Sequence, residues 1–253
     1  MSISKNQIKL VRSLSQRKFR NELGLFVAEG DKLVPDLFSA FRCKLLIATP
    51  DFLSEYPNLK AEEVVECPHA DLERASLLNA PQRVIALFHL PSRGIQPSAL
   101  SGKLSLMLDR VQDPGNLGTI IRIADWFGIR QIVCSNDSAD VFNPKTIQAT
   151  MGALARVNVA YADLVPFINS LPNGLPVYGT FLDGVDIYKT ELQENGVIVM
   201  GNEGNGISPD VEKCVTNKLF IPSFPKGEPT SESLNVAVAT AITCAEFRRR
   251  VNS

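Results

Sequence analysis

The sequence predicts an α/β protein, with a mostly parallel sheet in its larger C-terminal part and a small α/β domain before it. Three observations carry this reading. Apolar runs of strand length alternate with helix-spaced apolar residues along the chain, the pattern of sheets covered on both faces. The stretch Leu90-Pro91-Ser92-Arg93-Gly94-Ile95-Gln96-Pro97-Ser98 interrupts that alternation between two strand-like runs. The length, 253 residues, suits two domains of ordinary size.

In chain order, a helix over residues 3–14 opens the first domain. A strand over 25–28 follows, then a helix built on Leu33, Val34, Leu37, Phe38 and Phe41. Strands over 44–48 and 64–67, a helix over 71–78 and a strand over 83–90 complete a compact three-layer unit. Beyond the break, strands are expected at 104–111, 131–135, 156–161, 176–181, 196–201 and 218–222. Helices fall near 116–127, 144–152, 163–170, 208–216 and 233–250. The division is therefore 1–97, with a linker at about 91–103, and 104–253. Removing 1–97 is expected to leave the remainder folded.

Composition excludes several classes. A formal net charge of -1 gives no overall basic field. The charge is unevenly placed, because residues 1–20 hold Lys5, Lys9, Arg12, Arg17, Lys18 and Arg20 and no acid. Five scattered cysteines without a CxxC, and only His69 and His89 beside them, argue against a zinc site. Cys43, Cys134 and Cys244 lie in apolar runs and read as small core residues, as expected in a reducing cytoplasm. No stretch reaches the ~20 apolar residues of a membrane span.

Three segments carry polar residues at the ends of strands. In the first, the apolar run 104–108 is followed by Asp113-Pro114-Gly115-Asn116, then by Leu117, Ile120, Ile121, Ala124 and Phe127 at helical spacing. Asn116 and Arg122 thus lie near the carboxyl end of a central strand, where open α/β sheets bind ligands. Read alone, Asn116 can cap the helix and Arg122 can pair with a surface acid. The second segment is Val197-Ile198-Val199-Met200-Gly201-Asn202-Glu203-Gly204-Asn205-Gly206-Ile207, a strand ending in three glycines and one carboxylate. Its glycine spacing is not GxGxxG, which excludes a dinucleotide-binding dehydrogenase. It can also be read as a plain turn, with Ser208 capping the helix ahead of Pro209. The third segment is Leu219-Phe220-Ile221-Pro222, a loop, then Ser233-Leu234-Asn235-Val236-Ala237-Val238-Ala239, where Ser233 or Asn235 could cap the last helix.

Taken in order, DxxxDPGNLGTIIRxA, MGNEGxGI and IP…SLNVAVA resemble the SpoU (TrmH-like) branch of the SPOUT methyltransferases over 104–253. The segment KLVRSLSQRKFRNELGLFVAEG resembles the L30e/L7Ae-like substrate-binding domain that precedes it in relatives. The resemblance implies a C-terminal trefoil knot, a homodimer joined through the catalytic domain, and no metal. It implies methyl transfer from S-adenosylmethionine to a ribose 2′-hydroxyl of RNA, rRNA in preference to tRNA. Asn116, Arg122, Glu203, Ser233 and Asn235 match the catalytic set. Thr180, Gly201, Glu203, Gly204, Ile221 and Leu234 match cofactor-contacting positions. Arg122 would position and stabilise charge, since a guanidinium resists deprotonation. The segment 223–232 is longer than relatives usually have, and Ser223 stands where methionine is common. An inactive RNA-binding protein of the same fold is the alternative reading.

The basic start also has a reading of its own. On one helix, Lys5, Lys9, Arg12, Gln16 and Arg20 form a stripe opposite Ile3, Leu10, Val11 and Leu14. Beside an RNA-modifying domain, Lys5, Lys9, Arg12, Arg17, Lys18 and Arg20 become candidate phosphate contacts. Trp126 is expected in the core or in an interface.

Overall fold

A computed structural model describes residues 2–92, 94–225, 228 and 231–251. They fall into two compact units, Met1–Ser92 with Asp140–Arg156, and Arg93–Ala139 with Val157–Ser253. The first unit begins with α1 (Lys5–Ser13) and α2 (Arg17–Leu23), then β1 (Leu25–Glu29) and α3 (Leu33–Leu37). It continues through β2 (Cys43–Ala48), α4 (Pro50–Glu55), β3 (Ala61–Glu66), α5 (His69–Ala75) and β4 (Val84–His89). The chain then builds β5 (Leu104–Leu108), α6 (Pro114–Trp126) and β6 (Gln131–Ser135) in the second unit. It returns to the first for α7 (Pro144–Thr150). The second unit closes with β7 (Asn158–Ala162), α8 (Leu164–Asn169), β8 (Val177–Asp186), β9 (Gly196–Met200), α9 (Pro209–Glu212), β10 (Asn217–Phe220) and α10 (Val236–Val251).

The helix expected over 3–14 is present as α1, and a second helix, α2, follows it, so the stripe drawn through to Arg20 spans two helices. A capping box of Ser4 and Gln7 starts α1. The hydroxyls of Ser13 and Ser15 donate back to the carbonyls of Leu10 and Arg12 at 2.7 and 2.8 Å, offering the backbone an alternative to continuing. The sheet of this unit runs β1-β4-β2-β3, with β2 and β3 parallel and β4 antiparallel to both its neighbours. β1 is buried along its length, so its two faces serve two cores. Leu25 and Val27 join Val11, Leu14, Leu45, Ile47 and Leu72. Phe26 turns the other way, its ring centroid 5.1 Å from Phe41, 5.6 Å from Phe88 and 4.9 Å from Phe142.

Phe142 comes from 140–156, which the sequence division had assigned to the second domain. This segment is built into the first unit by specific polar contacts as well. Arg20 is 2% exposed, donates to the Leu14 and Ser15 carbonyls at 2.8 and 3.0 Å, and meets Asp140 at 2.5 Å. The Gln148 amide donates to the Glu29 carbonyl at 2.6 Å. The chain therefore passes between units near 92, 139 and 156, not through one linker. The sequence could not show this, because 140–156 reads as one more strand-to-helix connection.

In the second unit six strands run β10-β8-β9-β5-β6-β7, every pair parallel. The expected strands are all present, and β5 and β9 at the centre are buried along their whole length. Parallel pairing sends the loops after β5, β8, β9 and β10 to one edge of the sheet. Cys43, Cys134 and Cys244 are core residues as expected. Trp126 is not in the core, being 85% exposed. No helix among the described residues is long and apolar enough to cross a membrane.

Two consequences follow from the returned segment. Asp140→Ala strands the buried Arg20 guanidinium and should lower stability by about 3 kcal/mol in urea unfolding. A chain lacking 1–92 leaves Phe142, Ile147 and Leu154 without their unit, so it should show exposed apolar surface by dye binding; a fully cooperative, native-like remainder would contradict the assignment.

Candidate functional site

Asp113, not Asn116, caps α6: its carboxylate accepts the Asn116 N–H at 2.8 Å, with Pro114 in the first turn. That leaves the Asn116 side chain free for tertiary contacts. Its Nδ2 donates to Glu203 Oε1 at 2.9 Å, and its Oδ1 accepts from Asn235 Nδ2 at 3.0 Å. Asn235 also caps α10, its Oδ1 receiving the N–H groups of Ala237 at 2.9 Å and Val238 at 3.3 Å. One amide therefore does both jobs that the sequence left as alternatives. Asn202 Nδ2 reaches Glu203 Oε2 at 3.4 Å and donates to the Arg110 carbonyl at 2.7 Å.

The result is a continuous path, Asn235–Asn116–Glu203–Asn202–Arg110, linking the loops after β5, β9 and β10. Each amide passes its donor side onward, and the carboxylate terminates it from both directions. Among the described residues Glu203, half-buried, meets neutral amide donors and no cation, which leaves acceptor capacity for a further donor.

Arg122 and Ser233, also expected here, stand outside the path. Both are exposed, and neither makes a hydrogen bond or ion pair among the described residues. Ser208 does not cap α9 with its side chain; its N–H instead donates to the buried Asp109 carboxylate at 2.6 Å. This ties the β9 loop to the end of β5. Asn202 and Asp109 were missed in the sequence because each works through the backbone of another loop.

Two of the three glycines in the β9 loop, Gly201 and Gly204, serve different ends. A Cβ on Gly201 would lie 2.2 Å from the Gly206 carbonyl carbon and 2.3 Å from the Ile207 nitrogen. The loop closes on itself there through reciprocal Asn202–Gly206 hydrogen bonds at 2.9 and 3.0 Å. Gly201 thus admits the chain's own backbone. A Cβ on Gly204 would meet only the Asn202 amide oxygen, at 3.7 Å. Gly204 therefore faces open space, as a position that admits a ligand should.

Other cofactor-matched positions are consistent with a ligand read by backbone. The main-chain groups of Ile221 and Leu234 make no hydrogen bond among the described residues, although Ile221 is half-buried. Thr180 is half-buried at the same edge, its hydroxyl 3.8 Å from the Met200 sulfur. The described residues hold no group of histidine, cysteine or carboxylate side chains fit for a metal ion.

In the first unit Lys5, Lys9, Arg12 and Arg17 are exposed and without side-chain partners among the described residues. Lys18 is exposed and pairs loosely with Glu22 at 3.8 Å. Arg20 is a correction. Its guanidinium is buried against Asp140 and two carbonyls, so it is structural and cannot reach a phosphate. The expected stripe fails because the helix ends at Ser13, four residues before α2 begins.

An all-parallel sheet with a polar bridge along its carboxyl edge, and a separate unit with a mixed sheet, make this an α/β protein of two units. AviRb, the SpoU methyltransferase of Streptomyces viridochromogenes, shares this fold at a TM-score of 0.85 and 21% identity, covering 99% of each chain. The SpoU rRNA Methylase family matches residues 103–245, and the MRM3-like substrate binding domain matches 5–86. The chain belongs to the SpoU rRNA methylase family. The 23S rRNA (guanosine(2553)-2′-O)-methyltransferase RlmP of Bacillus subtilis is 30% identical over 251 residues, 97% of each chain. A TrmH-family protein from Porphyromonas gingivalis is 44% identical at a TM-score of 0.89, covering 99% of this chain and 100% of its own. The AdoMet-bound rRNA methyltransferase from Sinorhizobium meliloti is 30% identical at 0.84, covering 100% of this chain and 98% of its own.

The glycine geometry separates two substitutions. Gly201→Ala forces backbone against backbone and should lower the unfolding midpoint by several degrees. Gly204→Val should leave the circular-dichroism spectrum and midpoint unchanged while weakening S-adenosylmethionine binding in calorimetry. Equal destabilisation by both would refute the distinction.

Proposed function

We propose that this chain transfers a methyl group from S-adenosylmethionine to a ribose 2′-hydroxyl of ribosomal RNA. The observation that carries this is the bridge from Asn235 through Asn116 to Glu203, which joins all three motif loops at one edge of the sheet. RlmP, a relative spanning 97% of this chain, is named as a 23S rRNA 2′-O-methyltransferase, and the Sinorhizobium neighbour holds AdoMet. The cofactor supplies an electrophilic methyl on a sulfonium. Main-chain groups of Ile221 and Leu234, with Thr180 and the open face at Gly204, are the proposed holders.

A ribose hydroxyl is a poor nucleophile until its developing charge is stabilised. Glu203, fixed by two amides, would accept the hydroxyl's hydrogen bond and orient it. It would take the hydroxyl's proton as the oxygen bonds the methyl and the sulfonium is left as a neutral thioether. Arg122 would stabilise the oxyanion and hold the sugar by electrostatics, without giving up its own proton. Its lack of an ion pair among the described residues suits a cation kept for an anionic substrate. Ser233, without a partner among the described residues, is proposed as a further polar contact to the acceptor nucleotide. Lys5, Lys9, Arg12, Arg17 and Lys18 would supply the first unit's phosphate contacts.

The proposal includes a homodimer formed through the second unit, a trefoil-knotted C-terminal segment and a cytoplasmic location. Supporting the dimer, α6 and α10 pack together, and Trp126 and Val238 stand 85% and 49% exposed on them. Consistent with threading, Arg250 near the end of α10 donates to the Ile187 carbonyl at 2.9 Å and to that of Thr190, beyond β8.

Arg122→Ala should reduce single-turnover methylation of unmodified rRNA by at least about a hundredfold. Calorimetry should show cofactor affinity unchanged, and near wild-type turnover would remove Arg122 from the mechanism. Sedimentation equilibrium should give twice the 27.7 kDa chain mass; a fully active monomer would overturn the dimer.

A further inference from the structure

Arg110 lies just beyond the carboxyl end of β5, between Asp109 and the Asp113 cap. Its φ is 58°, a left-handed conformation that a Cβ disfavours and that glycine or asparagine would adopt more readily. Among the described non-glycine residues only Met151 shares a positive φ. The turn is fixed by the Arg110 backbone, whose N–H donates to Ser135 Oγ at 2.8 Å while its carbonyl accepts from Asn202 Nδ2 at 2.7 Å. None of this uses the side chain. Glycine would hold the same turn with less strain.

What arginine adds is a cation, whose one charged neighbour among the described residues is the Asp109 carboxylate. The side chain is 32% exposed. Its Nε is 3.4 Å from Asp109 Oδ1, yet it is buried and has no hydrogen-bond partner among the described residues. The other Asp109 oxygen is taken by the Ser208 N–H at 2.6 Å. The terminal guanidinium nitrogens have no partner among the described residues either. Strained backbone and an unsatisfied charged donor occur together at the last member of the path that organises the site. Such coincidence marks positions selected for function.

We propose that Arg110 is a positioning residue that holds a phosphodiester of the substrate RNA beside the acceptor nucleotide, distinct from Arg122 in its target. A planar guanidinium with two free nitrogens matches two phosphate oxygens. A ribose presented to Glu203 carries a phosphate on each side, so a cation at the Arg110 end of the path would set the register of the backbone. This rests on the RNA methyl-transfer reading, and its test separates the two.

The test compares wild type, Arg110→Gly and Arg110→Lys in filter binding to in vitro transcribed large-subunit rRNA across a salt series. Cofactor calorimetry and thermal unfolding accompany it. Arg110→Gly should unfold at the same temperature or higher and bind S-adenosylmethionine within about twofold of wild type. It should bind RNA about three- to tenfold more weakly, with a slope of log K against log salt shallower by about 0.7–0.9. Arg110→Lys should restore the slope. Unchanged RNA affinity and slope in Arg110→Gly would overturn the proposal. So would weaker cofactor binding with an unchanged slope, which would make Arg110 the counter-ion of Asp109 beneath the Ser208 turn. If wild type binds RNA with a steep slope but transfers no methyl, the functional reading fails while this comparison still stands.

Discussion

Parallel pairing of all six strands constrains the second unit more than any side chain does. Successive parallel strands require a crossover between them, so every strand delivers its carboxyl end to the same edge. Loops far apart in sequence, at 109–116, 201–207 and 231–235, are thereby brought to one line. A polar residue placed at such an edge has neighbours from other strands, not from its own hairpin. The site is a consequence of that geometry.

Across this edge the chain uses amides where ion pairs would also fit. Asn116 gives a donor to Glu203 and an acceptor to Asn235 at 2.9 and 3.0 Å, so it joins a carboxylate to a helix cap without adding charge. An arginine in its place would neutralise Glu203 and remove the acceptor that Asn235 needs. Asn235 in turn holds the first turn of α10, so the last helix and the carboxylate are positioned by the same atoms. Arg122 stands outside this arrangement, without a partner among the described residues, and Arg110 has only Asp109 beside its Nε.

The first unit shows a different economy. Its aromatic core is completed by Phe142 and its buried arginine by Asp140, both from a segment more than a hundred residues away. A guanidinium that is 2% exposed needs its acceptors supplied at fixed positions, since unpaired burial of such a group is costly. The segment 140–156 is therefore as much a part of this unit's fold as β1 is.

Sequence periodicity determined the alternating elements, the six strands of the large sheet and the buried cysteines, because each depends on local pattern and burial. The ordered motifs pointed to the loops that meet along the Asn235–Asn116–Glu203 bridge, since glycine, proline and asparagine at strand ends have few local uses. Tertiary structure decided the rest. Whether Asn116 capped its helix or bridged two loops depended on Asp113 taking the cap. Whether Gly201 admitted a ligand or its own chain depended on where Gly206 lay. Arg20 looked like one cation among six, and only the placement of Asp140 made it structural. Spacing along a helix says which face a residue occupies; what waits on that face is set by contacts between distant parts of the chain, which no local pattern encodes.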